Sequence, residues 1–308
     1  MSEDEESFDI SDLDIAPDGK VVAATQNETG VKPSRYSATL ITQYQKCPAS
    51  AYGRITKQPE NKSLALVNGI ALHESIEGYI KRRDDMGDSY KKSFTENAEK
   101  NHLNLADPSL GFDKVKTDAQ AMIINAKANL DLDGFVDRIN PDLCEVGFTF
   151  ERNGRTYVGK MDLVFFAPDG SFSIIDAKSS KTAPAQEVLN RDLQFSIYHA
   201  GAKLDTTLPT FGKWARNGVW WHLRGKNVAK DETGKTTRKV ADKKYQYFFP
   251  TNRTEDDVEA QFAYSIEPVA EAMESGVWYR NEKDHCGWCG YYDKDKKRCR
   301  VELPKRRP

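Results

Sequence analysis

The sequence predicts an α/β fold in which helices flank a central mixed β-sheet. Three observations favour this class. Apolar strands follow one another through two tight turns, at Asn153-Gly154 and at Pro168-Asp169-Gly170; a helical pattern begins near Gln186; and two aromatic-rich strands come later. Strand segments interleaved with helical segments are typical of sheets that are covered by helices.

The Asn-Gly turn fixes the pairing of the first two strands. An Asn-Gly pair between segments rich in Phe, Thr, Tyr and Val is the strongest short hairpin signal that a sequence offers. A two-residue loop places Arg152 opposite Arg155. Counting back along both strands then places Glu145 opposite Asp162.

The second turn fixes the third strand. A type I turn on Pro-Asp that ends in a left-handed glycine makes a three-residue loop. This loop pairs Ala167 with Ser171. Asp162 is then expected opposite Asp176.

Three carboxylates, from Glu145, Asp162 and Asp176, are therefore expected in a row on one face of the sheet, with Lys178 beside them. Like charges opposed across a sheet are destabilising unless a cation lies between them. Carboxylate oxygens suit Mg²⁺ or Mn²⁺, and such an ion beside a lysine can activate a water that attacks a phosphodiester. The alternative is a solvated face without a ligand, and a register slip of one residue would scatter the row.

The cysteines indicate a second metal centre. Cys286 and Cys289 form a Cys-x-x-Cys pair, Cys299 follows after nine intervening residues, and Cys47 is the natural fourth ligand. Four thiolates suit either zinc or a four-iron cluster, and the spacing alone does not separate the two. Cys144 is expected to be an inert apolar residue. Disulfides are disfavoured by the odd count and by the absence of a visible secretory signal.

The remaining elements complete the predicted layout. An N-terminal helical segment carries Cys47 and His73, and the helix from Gln186 places Gln194 and Tyr198 one turn apart on one face. The other predicted elements are a helical region from about Asn97 to Asp131, paired strands at Val219–Arg224 and Tyr245–Phe249, and a helix that opens at Thr254 with Asp257 in a capping-box pattern and is kinked or broken at Pro268.

These residues resemble a known family. Asp162, the Asp176-Ala177-Lys178 signature and the Gln194/Tyr198 pair are similar to the PD-(D/E)XK nucleases, specifically to the RecB-like branch that includes helicase-linked and CRISPR-associated exonucleases. Two upstream segments resemble the same branch: Ser37 to Pro48 its opening helix and first cysteine, and Gly69 to Glu74 its histidine-bearing helix. The resemblance runs from about Ser37 to Cys299 and implies a restriction-endonuclease-like core.

The resemblance implies roles for single residues. Asp162, Asp176 and His73 would bind the metal and Lys178 would assist the attacking water, while the Gln194/Tyr198 pair would support the site and the substrate. Glu145 is added as a ligand by the register argument. Without the resemblance, a lone histidine such as His73 is more often a half-buried side chain whose ring bonds to Glu77 than a metal ligand, and the resemblance reverses that preference.

The resemblance also bears on the cysteines. RecB-like nucleases with one distant N-terminal cysteine and three C-terminal ones bind a four-iron, four-sulfur cluster, which favours iron over zinc at Cys47, Cys286, Cys289 and Cys299. Such a centre would close a domain of residues 31–308.

Composition sets outer limits. The chain has 308 residues, of which 38% are hydrophobic and 30% charged, and it contains no apolar run long enough to cross a membrane. A reducing cytoplasm, bacterial or that of a virus-infected host, is the expected setting. Residues 1–30 hold nine acids and one lysine, for a charge of −8, so the net charge of −2 leaves +6 for the remainder. This acidic segment is expected to be a disordered tail.

Basic segments favour nucleic acid as the partner. A lysine-rich hairpin tip is expected from Lys226 to Lys244, and the stretch from Cys286 to Pro308 has eight Lys/Arg against three acids. Gly234-Lys235-Thr236-Thr237 imitates the end of a phosphate-binding loop, but Ala229 stands where that motif needs its first glycine. No ATP hydrolysis is therefore expected.

The sequence thus predicts a Mg²⁺- or Mn²⁺-dependent DNA nuclease, and an exonuclease on single-stranded DNA or free ends in preference to a structure-specific endonuclease. Viral recombination, repair and other DNA processing use such enzymes, and a recombinase or single-strand-binding protein is a conceivable partner. The alternative from another class is a nucleic-acid-binding protein that keeps the fold and a structural metal cluster without catalysis.

Overall fold

The computed structural model describes residues 31–106, 111–180, 182–224, 246–281, 283, 285–286, 289–294 and 296–304. The acidic segment 1–30, the lysine-rich tip and the imitation phosphate loop lie outside the described residues. Within the described parts, no helix is both long and apolar enough to cross a bilayer.

A five-stranded mixed sheet forms the centre of the molecule. Its strands follow one another in chain order: β1 (Cys144–Arg152), β2 (Arg155–Phe166), β3 (Phe172–Lys178), β4 (Asn217–His222) and β5 (Phe248–Thr251). All neighbouring pairs are antiparallel except β3 and β4, which are parallel. The predicted mixed sheet and the pairing of the two aromatic strands are confirmed, although β4 and β5 each lie a few residues from the predicted bounds.

Both predicted turns are confirmed. Arg152 pairs with Arg155, and Asn153 and Gly154 are both left-handed, with φ of 50° and 72°, as a type I′ turn requires. At the second turn, the Ala167 N–H donates to the Ser171 carbonyl over 2.8 Å, and Gly170 has a φ of 82°. The register of the first three strands therefore follows from turn chemistry.

Nine α-helices lie in the described residues, at α1 (Ala38–Lys46), α2 (Pro48–Ile55), α3 (Leu64–Arg82), α4 (Met86–Lys100), α5 (Phe112–Asp131), α6 (Gln186–Asn190), α7 (Leu193–Leu204), α8 (Glu255–Gln261) and α9 (Glu267–Glu274). Two short strands, β6 (Tyr292–Asp293) and β7 (Arg298–Cys299), pair near the C-terminus. The capping box at Thr254 and Asp257 is confirmed.

Two predicted helices differ from the structure, and a third is distorted near its proline. The region from Asn97 to Asp131 is the end of α4 and a separate α5. The helix from Gln186 is interrupted at Arg191, because Asp192 accepts a hydrogen bond from the Gln194 N–H over 2.7 Å and caps a new helix. Before Pro268 the α-helix is interrupted by a π-helical turn over Phe262–Ile266 and resumes as α9, a distortion of the kind expected near the proline.

The sheet is buried on both faces. One hydrophobic cluster joins it to α1, α2, α7 and α9, and the other joins it to α3, α4 and α5. Ile174 and Ile175 are consecutive in β3 and belong to different clusters, as the alternation of side chains along a strand requires. The fold is therefore a three-layer sandwich of helices, sheet and helices.

Candidate active site

The site lies where α3 crosses the ends of β1, β2 and β3. Ser63 caps α3 by accepting a hydrogen bond from the Leu66 N–H over 3.2 Å. Val67, Ala71 and Leu72 bury one face of the helix in the core. His73, on the neighbouring side, is carried towards the edge of the sheet.

His73, Glu145 and Asp162 converge from three separate elements. The His73 Nδ1 atom lies 3.4 Å from a Glu145 oxygen and 3.4 Å from an Asp162 oxygen. One ligand atom from each residue falls within 4.8 Å of the others. Glu77, the other partner considered for His73, pairs with Lys81 over 2.7 Å instead. One imidazole nitrogen and two carboxylate oxygens form a donor set that suits Mn²⁺ or Mg²⁺.

Glu145 reaches this group through an unusual backbone conformation. Its φ is 56°, a left-handed value that is costly for a residue with a side chain and that clusters at functional sites. The residue lies between the recorded pairs Cys144–Leu163 and Val146–Met161, so it faces Asp162 as the register predicts. Its second oxygen pairs with the ammonium of Lys160. Glu145 is thus held between a histidine and a lysine.

Asp162 and Asp176 meet at the end of the β2–β3 ladder. The last recorded pair is Leu163–Ile175, and beyond it the Asp162 Oδ2 atom accepts a hydrogen bond from the Ala177 N–H over 2.7 Å. Asp162 therefore lies at the end of β3, close enough to repel Asp176. Asp176 does not join the group of three within 4.8 Å, so the predicted row of three carboxylates becomes two carboxylates and a histidine.

Asp176 is turned towards Lys178 and Gln194. Its Oδ2 atom lies 2.8 Å from the Lys178 Nζ, and its Oδ1 atom accepts a hydrogen bond from the Gln194 Nε2 over 2.9 Å. Only 1% of Asp176 is exposed to solvent, and a buried carboxylate needs such partners. Gln194 also donates to the Tyr198 hydroxyl, one turn along α7. Tyr198 is buried beside Phe148 and Phe195 as well, so it both packs and bonds.

The charges of the site shift its pKa values in opposite directions. Burial lowers the pKa of His73, but hydrogen bonds and attraction from Asp162 and Glu145 outweigh it and raise this pKa to about 10. Burial, followed by repulsion from Asp162, raises the pKa of Asp176. Burial alone would lower the pKa of Lys178, yet attraction from Asp176 and Asp162 raises it. Lys178 is therefore a cation, and its positive charge in turn stabilises Asp176 as a carboxylate.

Cys47, Cys289 and Cys299 lie in the opposite helical layer. Cys47 is buried at the junction of α1 and α2, and Cys289 and Cys299 pack against the same cluster. Burial raises the pKa of the Cys289 thiol, and Ser50, Cys299 and Cys47 are among the groups that act on it. The Cys289 N–H donates to the Cys286 carbonyl over 3.1 Å.

The cysteine sulfurs of the described residues lie less close together than the ligands of the first group. Within the described residues, His73, Glu145 and Asp162 are the one group of three potential ligands that meets within 4.8 Å, so no three cysteine sulfurs do. Cys144 is buried elsewhere, with its pKa raised to about 12 by burial first and then by Glu145. It remains a neutral apolar residue, as expected.

Sequence reasoning missed Lys160 and Ser179. Lys160 stands directly before Met161-Asp162 and on the same face of β2 as Asp162, which was a usable signal. Ser179 lines a groove beside the group of three, together with residues of α3. The approach of α3 to Ser179 depends on tertiary packing, so no local sequence pattern indicates it.

The chain was compared with known proteins. The family model for the PD-(D/E)XK nuclease superfamily matches residues 35–296. The chain belongs to this superfamily. As a member of the PD-(D/E)XK nucleases it is a phosphodiester hydrolase by family, and its carboxylates and lysine stand on the three strands analysed above.

One solved structure shows the same fold. A protein from Eubacterium rectale described as a "putative exonuclease" is 15% identical, with 88% of this chain and 91% of that one covered and a TM-score of 0.51. The structure of SSO0001 is 14% identical, with 85% of each chain covered and a TM-score of 0.38. Among curated proteins the comparison finds no match.

Proposed function

We propose that this PD-(D/E)XK nuclease is a metal-dependent deoxyribonuclease, and that it degrades DNA from free ends. One observation carries the proposal. A histidine and two carboxylates that suit a divalent ion lie beside the Asp176–Lys178 ion pair, whose carboxylate is buried. Acidic residues without such a lysine would be expected at any solvent-exposed edge of a sheet and would not indicate catalysis.

The residues would divide the work as follows. His73, Glu145 and Asp162 would hold Mg²⁺ or Mn²⁺, which supplies an activated water and neutralises charge on the phosphoryl oxygens. The Lys178 ammonium would orient that water and stabilise charge that develops in the transition state. Asp176 fixes Lys178 by the 2.8 Å ion pair, and is the next carboxylate able to turn to the ion.

Gln194 and Tyr198 would act through Asp176. The Gln194 amide holds the Asp176 Oδ1 atom over 2.9 Å and bonds to the Tyr198 hydroxyl. Partners behind a metal site orient its ligands in this way, and their loss usually costs 10- to 100-fold in activity or affinity. We class both as positioning residues.

We further propose a four-iron, four-sulfur cluster at Cys47, Cys286, Cys289 and Cys299. Two points support it. Cys47 and Cys299 both act on the Cys289 thiol, although more than 240 residues of sequence separate Cys47 from Cys289, and in the described residues no three sulfurs lie within 4.8 Å of one another. A cubane separates its thiolates more than one ion does, and would tie residue 47 to residue 299. Anaerobically purified protein should then contain about four iron and four sulfide per chain.

The decisive experiment compares linear and circular DNA. End-labelled single-stranded and double-stranded DNA and a closed circle are incubated with Mn²⁺ or Mg²⁺, beside Asp176→Ala and Lys178→Ala. The proposal expects metal-dependent loss of linear DNA only, and no loss with either variant. Cleavage of the circle would instead identify an endonuclease. Equal behaviour of wild type and variants would identify a binding protein without catalysis.

A further inference from the structure

A groove of about 520 Å³ opens directly beside the metal group. Volumes of this order are typical of pockets for small organic ligands. His73, Glu145 and Asp162 form part of its wall, so whatever fills the groove touches the metal group. The opposite wall includes Ser179, the residue that follows β3.

One face of α3 forms the long wall of the groove. Leu66, Gly69, Ile70 and His73 all line it, at the three- and four-residue spacing of one helix face. Leu66 is 42% exposed, although a leucine gains by burial. The groove therefore presents an apolar surface within two turns of the metal-binding histidine.

Gly69 keeps the middle of the groove open. A Cβ atom at this position would find the Ser179 Oγ atom at 4.0 Å and nothing closer. A methyl group would therefore fit, whereas a larger side chain would extend across the space towards Ser179. The φ of Gly69 is not left-handed, so the backbone itself does not need glycine here.

The charge of the lining disfavours a phosphate backbone. Glu74 and Glu77 line the groove in addition to the carboxylates of the metal group, and Lys160 is the lysine among its lining residues. Lys160 is already paired with Glu145. A duplex carries about one negative charge per 1.7 Å of axis. With Glu145 and Asp162 on the metal and Glu77 paired with Lys81, the lining still offers a phosphate the carboxylate of Glu74 and a lysine that is already paired. A nucleobase, by contrast, has an apolar face, and carboxylates accept hydrogen bonds from its amino groups.

We propose that this groove is a subsite for one unpaired nucleobase next to the scissile phosphate, and that the enzyme therefore acts on unpaired strands. The inference rests on the proposed function for its catalytic meaning. Leu66 and Ile70 contact the flat face of the base, and Glu74 lies at the edge where amino groups would point. A base that is paired in a duplex does not enter.

The test uses two variants, each with a matched control. Gly69→Leu fills the groove and Gly69→Ala adds only the methyl group that fits, so both keep the fold, because each replaces a helical glycine. Leu66→Ala removes the apolar surface, and Leu132→Ala is its control, since Leu132 is an exposed leucine outside the groove. Thermal unfolding checks each variant.

Two readouts are measured. Binding of a fluorescent single-stranded oligonucleotide is followed by anisotropy with Ca²⁺, and hydrolysis of the same strand and of a blunt duplex with Mn²⁺. We expect Gly69→Leu to weaken single-strand binding and to lower kcat/KM at least tenfold, and Leu66→Ala to raise KM about fivefold, the equivalent of roughly one kcal/mol of lost apolar contact. Leu132→Ala should match wild type, and Gly69→Ala should lose less than Gly69→Leu, because it adds only a methyl group.

The outcomes separate this inference from the proposed function. Single-strand binding that is equally tight in folded Gly69→Leu, or a wild type that hydrolyses blunt duplex as fast as the single strand, overturns the subsite. Wild type that hydrolyses neither DNA nor the small diester bis(4-nitrophenyl) phosphate overturns the proposed function. If binding is nevertheless lost in Gly69→Leu in that case, the base subsite stands.

Discussion

Lys178 and Asp176 stand two residues apart on β3 and form an ion pair of 2.8 Å beside the metal group. Asp176 is almost wholly buried, so its charge depends on this lysine and on the Gln194 amide. Breaking such a pair leaves an uncompensated charge inside the protein. The pair therefore links catalysis and stability at one point.

The two members of this pair should respond differently to substitution. Lys178→Met leaves Asp176 buried without its cation, so it should lower both the rate and the unfolding midpoint. Asp176→Asn removes the charge that burial disfavours and leaves Lys178, whose side chain is 30% exposed and can reach water. The metal-free protein should therefore unfold at an equal or higher temperature, while hydrolysis falls at least about 10²-fold. Thermal unfolding beside a DNA hydrolysis assay checks both. Equal destabilisation by the two variants would contradict this account.

The losses of activity caused by substituting Gln194 and Tyr198 should not add together in the double variant. Gln194→Leu removes the hydrogen bond to Asp176 and should lower kcat about 10- to 100-fold. Tyr198→Phe deletes only the hydroxyl that Gln194 bonds to, and should cost a few-fold. The double variant should resemble Gln194→Leu alone, since Tyr198 acts through Gln194. Steady-state rates for the four proteins form the cycle, and strictly additive losses would show independent roles.

Metal binding should release a proton from His73. Its pKa is raised to about 10 without metal, whereas a ligand must be neutral. Mn²⁺ affinity should therefore rise about tenfold per unit of pH between pH 6 and 9. Calorimetry in two buffers of different ionisation enthalpy should report about one proton released per ion. A pH-independent affinity would show that His73 is not a ligand.

Buried His199 should make the fold sensitive to mild acid. Its side chain is fully buried, and burial lowers its pKa to about 4, against 6.5 for an ordinary histidine. Between pH 6.5 and 4, His199 binds a proton in the unfolded chain but not in the folded protein. The free energy of unfolding is therefore highest above pH 6.5 and falls as the pH decreases towards 4. The loss is on the order of 3 kcal/mol.

His199→Gln is the control for this effect, because glutamine does not titrate. Denaturant unfolding at several pH values should give a shallower slope for this variant between pH 4 and 6.5. The pKa of His222 is lowered as well, and it contributes equally to both proteins. Identical slopes would show that His199 is not responsible.

The cysteine centre makes a separate prediction. Cys47→Ser should lose iron and visible absorbance and unfold at a lower temperature, because it removes the ligand that closes the chain between its two ends. Cys144→Ser is the matched control, since Cys144 lies by the sheet, away from the other cysteines. It should retain the full iron content. Iron analysis of both variants decides, and a colourless wild type that contains one zinc would favour the alternative metal.

The sequence predicted the sheet well because turn chemistry is local. Asn153-Gly154 and Gly170 allow only a few loop geometries, and these set the register that places Glu145 and Asp162 together. Contacts between segments that are distant in the sequence could not be predicted in this way. The approach of His73 to Glu145 spans 72 residues, and depends on how α3 packs over the sheet.

Two further features of the structure, the break before α7 and the left-handed backbone of Glu145, were not predicted from the sequence. The break before α7 follows from the capping of Gln194 by Asp192, and aspartate is a common cap, yet the apolar pattern continued through it. The left-handed Glu145 had no signal, because only glycine and asparagine mark such positions reliably. Its side chain contacts His73 and Lys160.

The most direct measurement is anomalous diffraction from crystals of the protein soaked in Mn²⁺. The account predicts a single strong peak between the His73 Nδ1 atom and the carboxylates of Glu145 and Asp162, and its loss in crystals of His73→Ala. A manganese peak elsewhere, or none at this group while DNA hydrolysis remains metal-dependent, would contradict the assignment of these residues as the catalytic metal site.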